Sequence, residues 1–153
     1  MNIVRCLAIS ASLALAACDL SYFFSAEVGK ALRAAVRDKG LKEISLAKVV
    51  PFKWDELYLF GPYTPRETIC KDMKISEAAC LSAIPEESTD DGEMFLVFKL
   101  NGKIVHKEMH IRINGDFTPL DFPQPVVPAK STFKVISEGV SASGKPWLKL
   151  RPA

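Results

Sequence analysis

Apolar and polar positions alternate along this chain in several distinct rhythms. Leu7 to Ala17 is an unbroken run of apolar and small residues behind Met1–Arg5, which carries one positive charge. The run matches the core of a secretory signal and falls short of the roughly 20 residues that cross a bilayer. From Ala26 to Lys39 the spacing becomes helical. Val28, Leu32, Ala35 and Val36 form a stripe for burial, Lys30, Arg33 and Arg37 face water, Ser25 offers an N-cap oxygen, and Gly40 suits a left-handed stop. Ile44 to Val50 reads as a strand broken at Pro51. Trp54 to Phe60 reads as a second strand, with Trp54, Tyr58 and Phe60 on one face and Leu57 and Leu59 on the other, so both faces are expected to be covered. After the Gly61-Pro62-Tyr63 turn, Thr64-Pro65-Arg66-Glu67 matches a capping box opening a short helix to about Cys70. A second helix is expected from Ser76 to Ser82.

The second half is strand-rich. Met94–Leu100 and Lys103–Ile113 flank Asn101-Gly102, a pair that tolerates the positive φ angles of a type I′ hairpin turn. Pro119, Pro123, Pro125 and Pro128 predict an extended, stiff connector. Thr132–Ile136 and Trp147–Leu150 then read as two closing strands. The order predicts a single α+β domain over residues 26–153, with an N-terminal helix and short helices packed on a mostly antiparallel sheet.

Cys18 follows Leu15-Ala16-Ala17, and this motif resembles the lipobox of bacterial lipoproteins. The resemblance implies cleavage after residue 17 and acylation of Cys18, with residues 18–25 as anchor and tether. The anchor would face the periplasm from the cell envelope, and the membrane would be a partner through the lipid. Several acyl chains hold durably, since each buried methylene adds about 0.8 kcal/mol. Asp19 resembles the signal that retains some lipoproteins in the inner membrane, which slightly favours that membrane and leaves the outer one open. The alternative is an ordinary secretory signal, with Cys18 free or paired. Cleavage leaves 136 residues, 19 basic and 18 acidic, and so a net charge of +1. A nearly neutral exported chain without a basic cluster argues against nucleic acid as a partner. With Cys6 lost and Cys18 lipidated, Cys70 and Cys80 are expected to form a disulfide.

Candidate chemistry is sparse. His106 and His110 share a strand face about 13 Å apart, at roughly 3.3 Å per residue, too far for one metal ion, and read as polar positions on a sheet face. Ser131-Thr132-Phe133-Lys134 has the Ser-x-x-Lys spacing of some acyl-transfer enzymes, but in a strand context and without companion motifs. The chain is therefore expected to be no enzyme and to use no metal or cofactor. Two features remain. Trp54 to Thr64 resembles a run, Trp-Asp-x-x-Tyr-x-Phe-Gly-Pro-Tyr-Thr, associated with small bacterial lipoproteins; some of similar layout are immunity proteins against cell-wall-degrading effectors. Glu86, Glu87, Asp90, Asp91 and Glu93 form an acidic loop without a basic residue. It reads either as a solubilising surface or, with Tyr63 as an exposed contact, as the rim of a site for a basic secreted effector or hydrolase. A calcium site at Asp90, Asp91 and Glu93 fits no EF-hand spacing. The expected function is binding and occlusion of a protein partner. The alternative is a housekeeping envelope lipoprotein that assists a membrane complex or binds a wall or lipid ligand.

Overall fold

The computed structural model describes residues 27–153. The signal segment 1–17, Cys18, Asp19, the tether 18–25 and the Ser25 cap lie outside the described residues. Helix α1 (Glu27–Arg33) continues as a π-helical turn over Ala34–Asp38. Val28, Leu32, Ala35 and Val36 are buried, and Gly40 stops the chain at φ +62°. Arg37 is not a wet residue as expected: its Nε donates to the carbonyl of Ile113 at 2.5 Å and its Nη2 to that of Pro146 at 3.0 Å.

The domain is α+β as expected, its strands arranged in two three-stranded antiparallel sheets. The first has the order β1 (Glu43–Ser45), β5 (Thr132–Val140), β6 (Pro146–Pro152); the second β2 (Glu56–Phe60), β3 (Glu93–Leu100), β4 (Lys103–Ile111). The β3–β4 turn has Asn101 at φ +52° and Gly102 at φ +74°, as the type I′ reading requires. The strand ends at Ile111, because Arg112–Asn114 turns as a 3-10 helix. β3 is buried on both faces. Met94, Leu96 and Phe98 join a core with α1 and the first sheet, while Phe95 and Val97 join a second core under helices α3 (Arg66–Asp72) and α4 (Glu77–Ala83). β2 divides likewise, with Leu57 and Leu59 in the first core and Tyr58 and Phe60 at the second. Trp54 differs from expectation: it precedes the strand and turns into the first core, edge-on to Phe98.

Two further segments depart from their reading. Ile44–Val50 is strand only to Ser45, and Leu46–Val49 forms the one-turn helix α2. Ser131 decides this, since its carbonyl accepts from Leu46 N–H at 2.9 Å and its hydroxyl from Ala47 N–H at 3.2 Å, satisfying two free amides of the turn. Leu46, Val49 and Val50 then share a helical face. The proline segment is no free connector. Phe117 and Val126 are buried, Leu120 and Phe122 pack on the first core, and the Thr118-Pro119 and Gln124-Pro125 peptides are cis. Val126 pairs with Leu57 and the Gln124 amide bonds both N–H and C=O of Leu59, at 2.7 and 3.0 Å, so this segment covers the free edge of β2.

The layers are joined by buried polar groups. His106 and His110 are not simply polar positions on an open sheet face: with Glu108 they point inward. Glu108 accepts from Val28 and Gly29 N–H at 3.0 and 2.9 Å, capping the first turn of α1 from β4, and from His106 Nε2 at 2.6 Å. Burial alone would raise its pKa, but those hydrogen bonds, His106's foremost, hold it below the ordinary value. His110 is fully buried and its Nε2 donates to the Gly115 carbonyl at 2.7 Å; burial pushes its pKa down and keeps the ring neutral. Gly115 adopts φ +143°, and a Cβ there would meet Leu150 at 3.0 Å.

Acid should therefore destabilise this domain over two successive pH ranges. The unfolded chain takes up a proton at His110 that the folded chain refuses, so stability is full above about pH 6.5 and falls as pH drops, by up to about 1.4 kcal/mol per unit. Below about pH 4.5 the depressed carboxylates add to the loss in the same direction. Urea titrations from pH 8 to 4 check this, and His110→Gln, which keeps a donor for Gly115, should flatten the portion between pH 6.5 and 5.

Candidate functional site

The acidic segment folds onto the outer face of the second sheet. Between Asp55 and Glu93 there are ten carboxylates and three cations, whereas the rest of residues 27–153 holds sixteen cations and seven carboxylates. The helix pair and its loop thus form the acidic side of a polarised domain. The pair is tied by the Cys70–Cys80 disulfide, with Cα atoms 5.8 Å apart, and both half-cystines are buried on Ile69, Met73, Ile84, Phe95 and Val97. Lys99 donates to the Met73 carbonyl at 3.2 Å and Lys107 to that of Ala83 at 2.7 Å, so β3 and β4 hold the chain at the C-terminal ends of both helices.

The structure gives the loop carboxylates three different jobs. Glu87 is exposed but tied into the fold: its Oε1 accepts from Arg66 N–H at 2.6 Å, capping α3, and its Oε2 lies 3.7 Å from the Arg66 guanidinium. The predicted capping box does not form, because the Thr64 hydroxyl donates to Gly61 O at 2.9 Å and a carboxylate from the loop takes the cap. Asp90 closes the loop, accepting from Gly92 N–H at 2.5 Å; a Cβ on Gly92 would lie 2.9 Å from that oxygen. Buried Ser88 donates across the turn to Asp90 O at 3.1 Å. Glu93 sits half-buried at the start of β3, where burial first, then the charges of Asp90 and Glu86, raise its pKa. Glu86, Glu87, Asp90 and Asp91 are all exposed.

The loop rests on Arg112, which sequence reading missed. Arg112 N–H donates to Gly92 O at 2.7 Å and its Nη1 to Asp91 O, while Nε and Nη2 grip Asp116 at 3.1 and 3.0 Å. Asp116 is fully buried and also accepts from Lys149 Nζ at 2.6 Å, Trp147 Nε1 at 2.6 Å and Thr118 N–H at 2.9 Å. Burial would raise its pKa, yet these donors, Arg112 first, hold it far below the carboxylate range. The i, i+4 spacing of Arg112 and Asp116 was the only trace of this centre in the sequence.

Tyr63 is 57% exposed and holds φ +59°, unusual for a bulky residue. Leu81 on α4 is exposed as well. Ser131, in contrast, is buried, and its hydroxyl donates to Pro128 O at 2.8 Å and accepts from Ala47 N–H at 3.2 Å. Among the described residues no three His, Cys, Asp or Glu side chains gather to hold a metal ion, and no helix is long and apolar enough to cross a membrane. Compared with protein-family models, curated proteins and solved structures, the chain matches none.

Two variants separate the supports of the acidic face. Replacing Cys70 and Cys80 by serine should cost about 3 kcal/mol of stability, as expected for a closed loop of about ten residues, read from urea unfolding with and without reductant. Arg112→Ala should speed amide exchange at Gly92, Glu93 and their neighbours far more than in the helix pair, read by hydrogen–deuterium exchange.

Proposed function

We propose that this chain is a lipoprotein, anchored through Cys18 and facing the periplasm, whose acidic side binds and occludes a basic protein partner. The reading fits an immunity or inhibitor protein against an envelope-targeting antibacterial effector. The observation that supports it best is the placement of the acidic groups. The acidic loop is held by Ser88 and Arg112 on the backbone of Asp90 and Asp91 and by Arg66 N–H on Glu87, and Glu86 and Asp91 stay exposed. A solubilising loop needs no such scaffold. Preorganised charge speeds encounter with an oppositely charged surface and disfavours wrong partners. Tyr63 supplies an exposed aromatic of the kind that anchors interfaces, in a backbone conformation costing on the order of 1 kcal/mol.

Capture of periplasmic proteins on the full chain, with identification by mass spectrometry, should return one stoichiometric basic partner. A double Glu86→Lys, Asp91→Lys variant should then slow association about tenfold at low salt, with the difference closing as salt rises. Equal rates at low salt would remove the acidic side from the interface. Tyr63→Gly should weaken the complex while leaving stability unchanged or up to about 1 kcal/mol higher, since glycine relieves the positive φ. A growth defect of cells lacking the chain only during contact with competitors supports immunity; a defect in isolated culture supports the housekeeping alternative.

A further inference from the structure

The second sheet separates two layers of opposite charge, and two consecutive residues of β4 show the division. Glu108, opposite Leu96, turns toward the first core and accepts from the Val28 and Gly29 N–H groups of α1. Lys107, opposite Val97, turns the other way and donates to the Ala83 carbonyl at the end of α4. Helix α1 and the acidic helix pair therefore lie on opposite faces of one sheet. Residues 27–53, which include α1, its π-helical turn, β1 and α2, hold seven cations against the three carboxylates Glu27, Asp38 and Glu43, a net charge of +4. α2 packs against α1. Lys39, Lys42, Lys48 and Lys53 are exposed, and their ammonium groups make no hydrogen bond or ion pair among the described residues. Exposed Leu41 stands between Lys39 and Lys42, an apolar residue among basic ones of the kind that suits a headgroup layer.

The chain's own connectivity says which surface this layer meets. Under the reading of Cys18 as a lipid anchor, on which this inference rests, α1 begins nine residues after the acylated cysteine. At roughly 3.4 Å per residue that tether spans at most about 30 Å. α1 is then the first element above the bilayer, and its layer repeatedly enters the zone of about 8–10 Å in which a charged surface is felt at physiological salt. Anionic headgroups attract the basic layer and repel the ten carboxylates between Asp55 and Glu93 on the far side of the sheet. Tether and field therefore turn the domain in the same sense. We infer that α1, α2 and the Lys39–Lys42 turn form a membrane-facing surface for anionic lipid headgroups, which points the acidic side away from the bilayer.

The full lipidated chain would be placed in vesicles of phosphatidylcholine, alone or with about one-third phosphatidylglycerol. With Cys18 acylated and Cys70–Cys80 oxidised, one introduced cysteine is the single free thiol after cleavage of the signal. A fluorophore would be attached through Ala47→Cys on α2 or Glu86→Cys in the acidic loop, both exposed positions, and quenched by a lipid carrying a nitroxide headgroup. In the anionic vesicles the label at 47 should be quenched at least about fivefold more than the label at 86. Without phosphatidylglycerol, or in salt near 1 M where the screening length is about 3 Å, that contrast should shrink below about twofold. The triple variant Lys39→Glu, Lys42→Glu, Lys48→Glu should lose the contrast as well, while still floating with the vesicles and keeping its thermal transition; the salt comparison carries the test without any change of fold. Equal quenching at the two positions, or a contrast as large without phosphatidylglycerol, would overturn the orientation and leave the anchor standing. A chain that fails to float with the vesicles at high salt would remove the anchor itself, and this inference with it.

Discussion

The arrangement of this domain depends on one buried carboxylate. A charge such as Asp116 is tolerated without water only if its lone pairs are filled, and its donors come from three directions: Arg112 after β4, Trp147 and Lys149 on β6, and Thr118 on the proline segment. The backbone reinforces the junction. Asp116 N–H donates to Leu148 O at 2.9 Å and Leu150 N–H to Asp116 O at 2.7 Å, so residue 116 also acts as a short fourth strand beside β6. The two sheets are thereby held in fixed relation by an interaction that belongs to neither. Arg112 extends the hold outward to the backbone of Asp91 and Gly92.

The two cores built around β3 have different characters. The first is large and aromatic, with Phe98, Phe117 and Phe133 fully buried and Phe122 packed edge-on to Phe133. The second is small, and two short helices of seven residues each would be marginal there without a covalent tie. The disulfide and the lysines at both helix ends make a rigid outer layer from little apolar area. Charge divides along the same line, so the side with the thinner core is also the acidic one.

Features whose cause is local were legible in the sequence. The β3–β4 hairpin follows from Asn101-Gly102 between apolar runs, the stop of the first helix from Gly40, and the disulfide from reading Cys70 and Cys80 as a pair. The segments that misread owe their form to distant residues. Leu46–Val49 became helical because Ser131 caps it from 84 positions away, and Thr64 lost its cap to Glu87. The acidic residues of the candidate site were visible, but which of them the fold ties down was not, since Arg66 and Arg112 reach the loop only through the fold. The histidines misled because period-two spacing tells which residues share a face and not which way that face points.

The covering of β2 by Gln124 and Val126 also bears on the order of events in folding. Leu57 pairs with a residue almost seventy positions later, and β1 with one about ninety positions later. Loop-closure entropy must be met before either pairing gives anything back. The β3–β4 and β5–β6 hairpins and the cystine-linked helices have close partners along the chain. The first core therefore closes last, once the C-terminal third has emerged and swung back over β2. Until then β1 and the edge of β2 lack the partners that Thr132–Lys134 and Val126 supply.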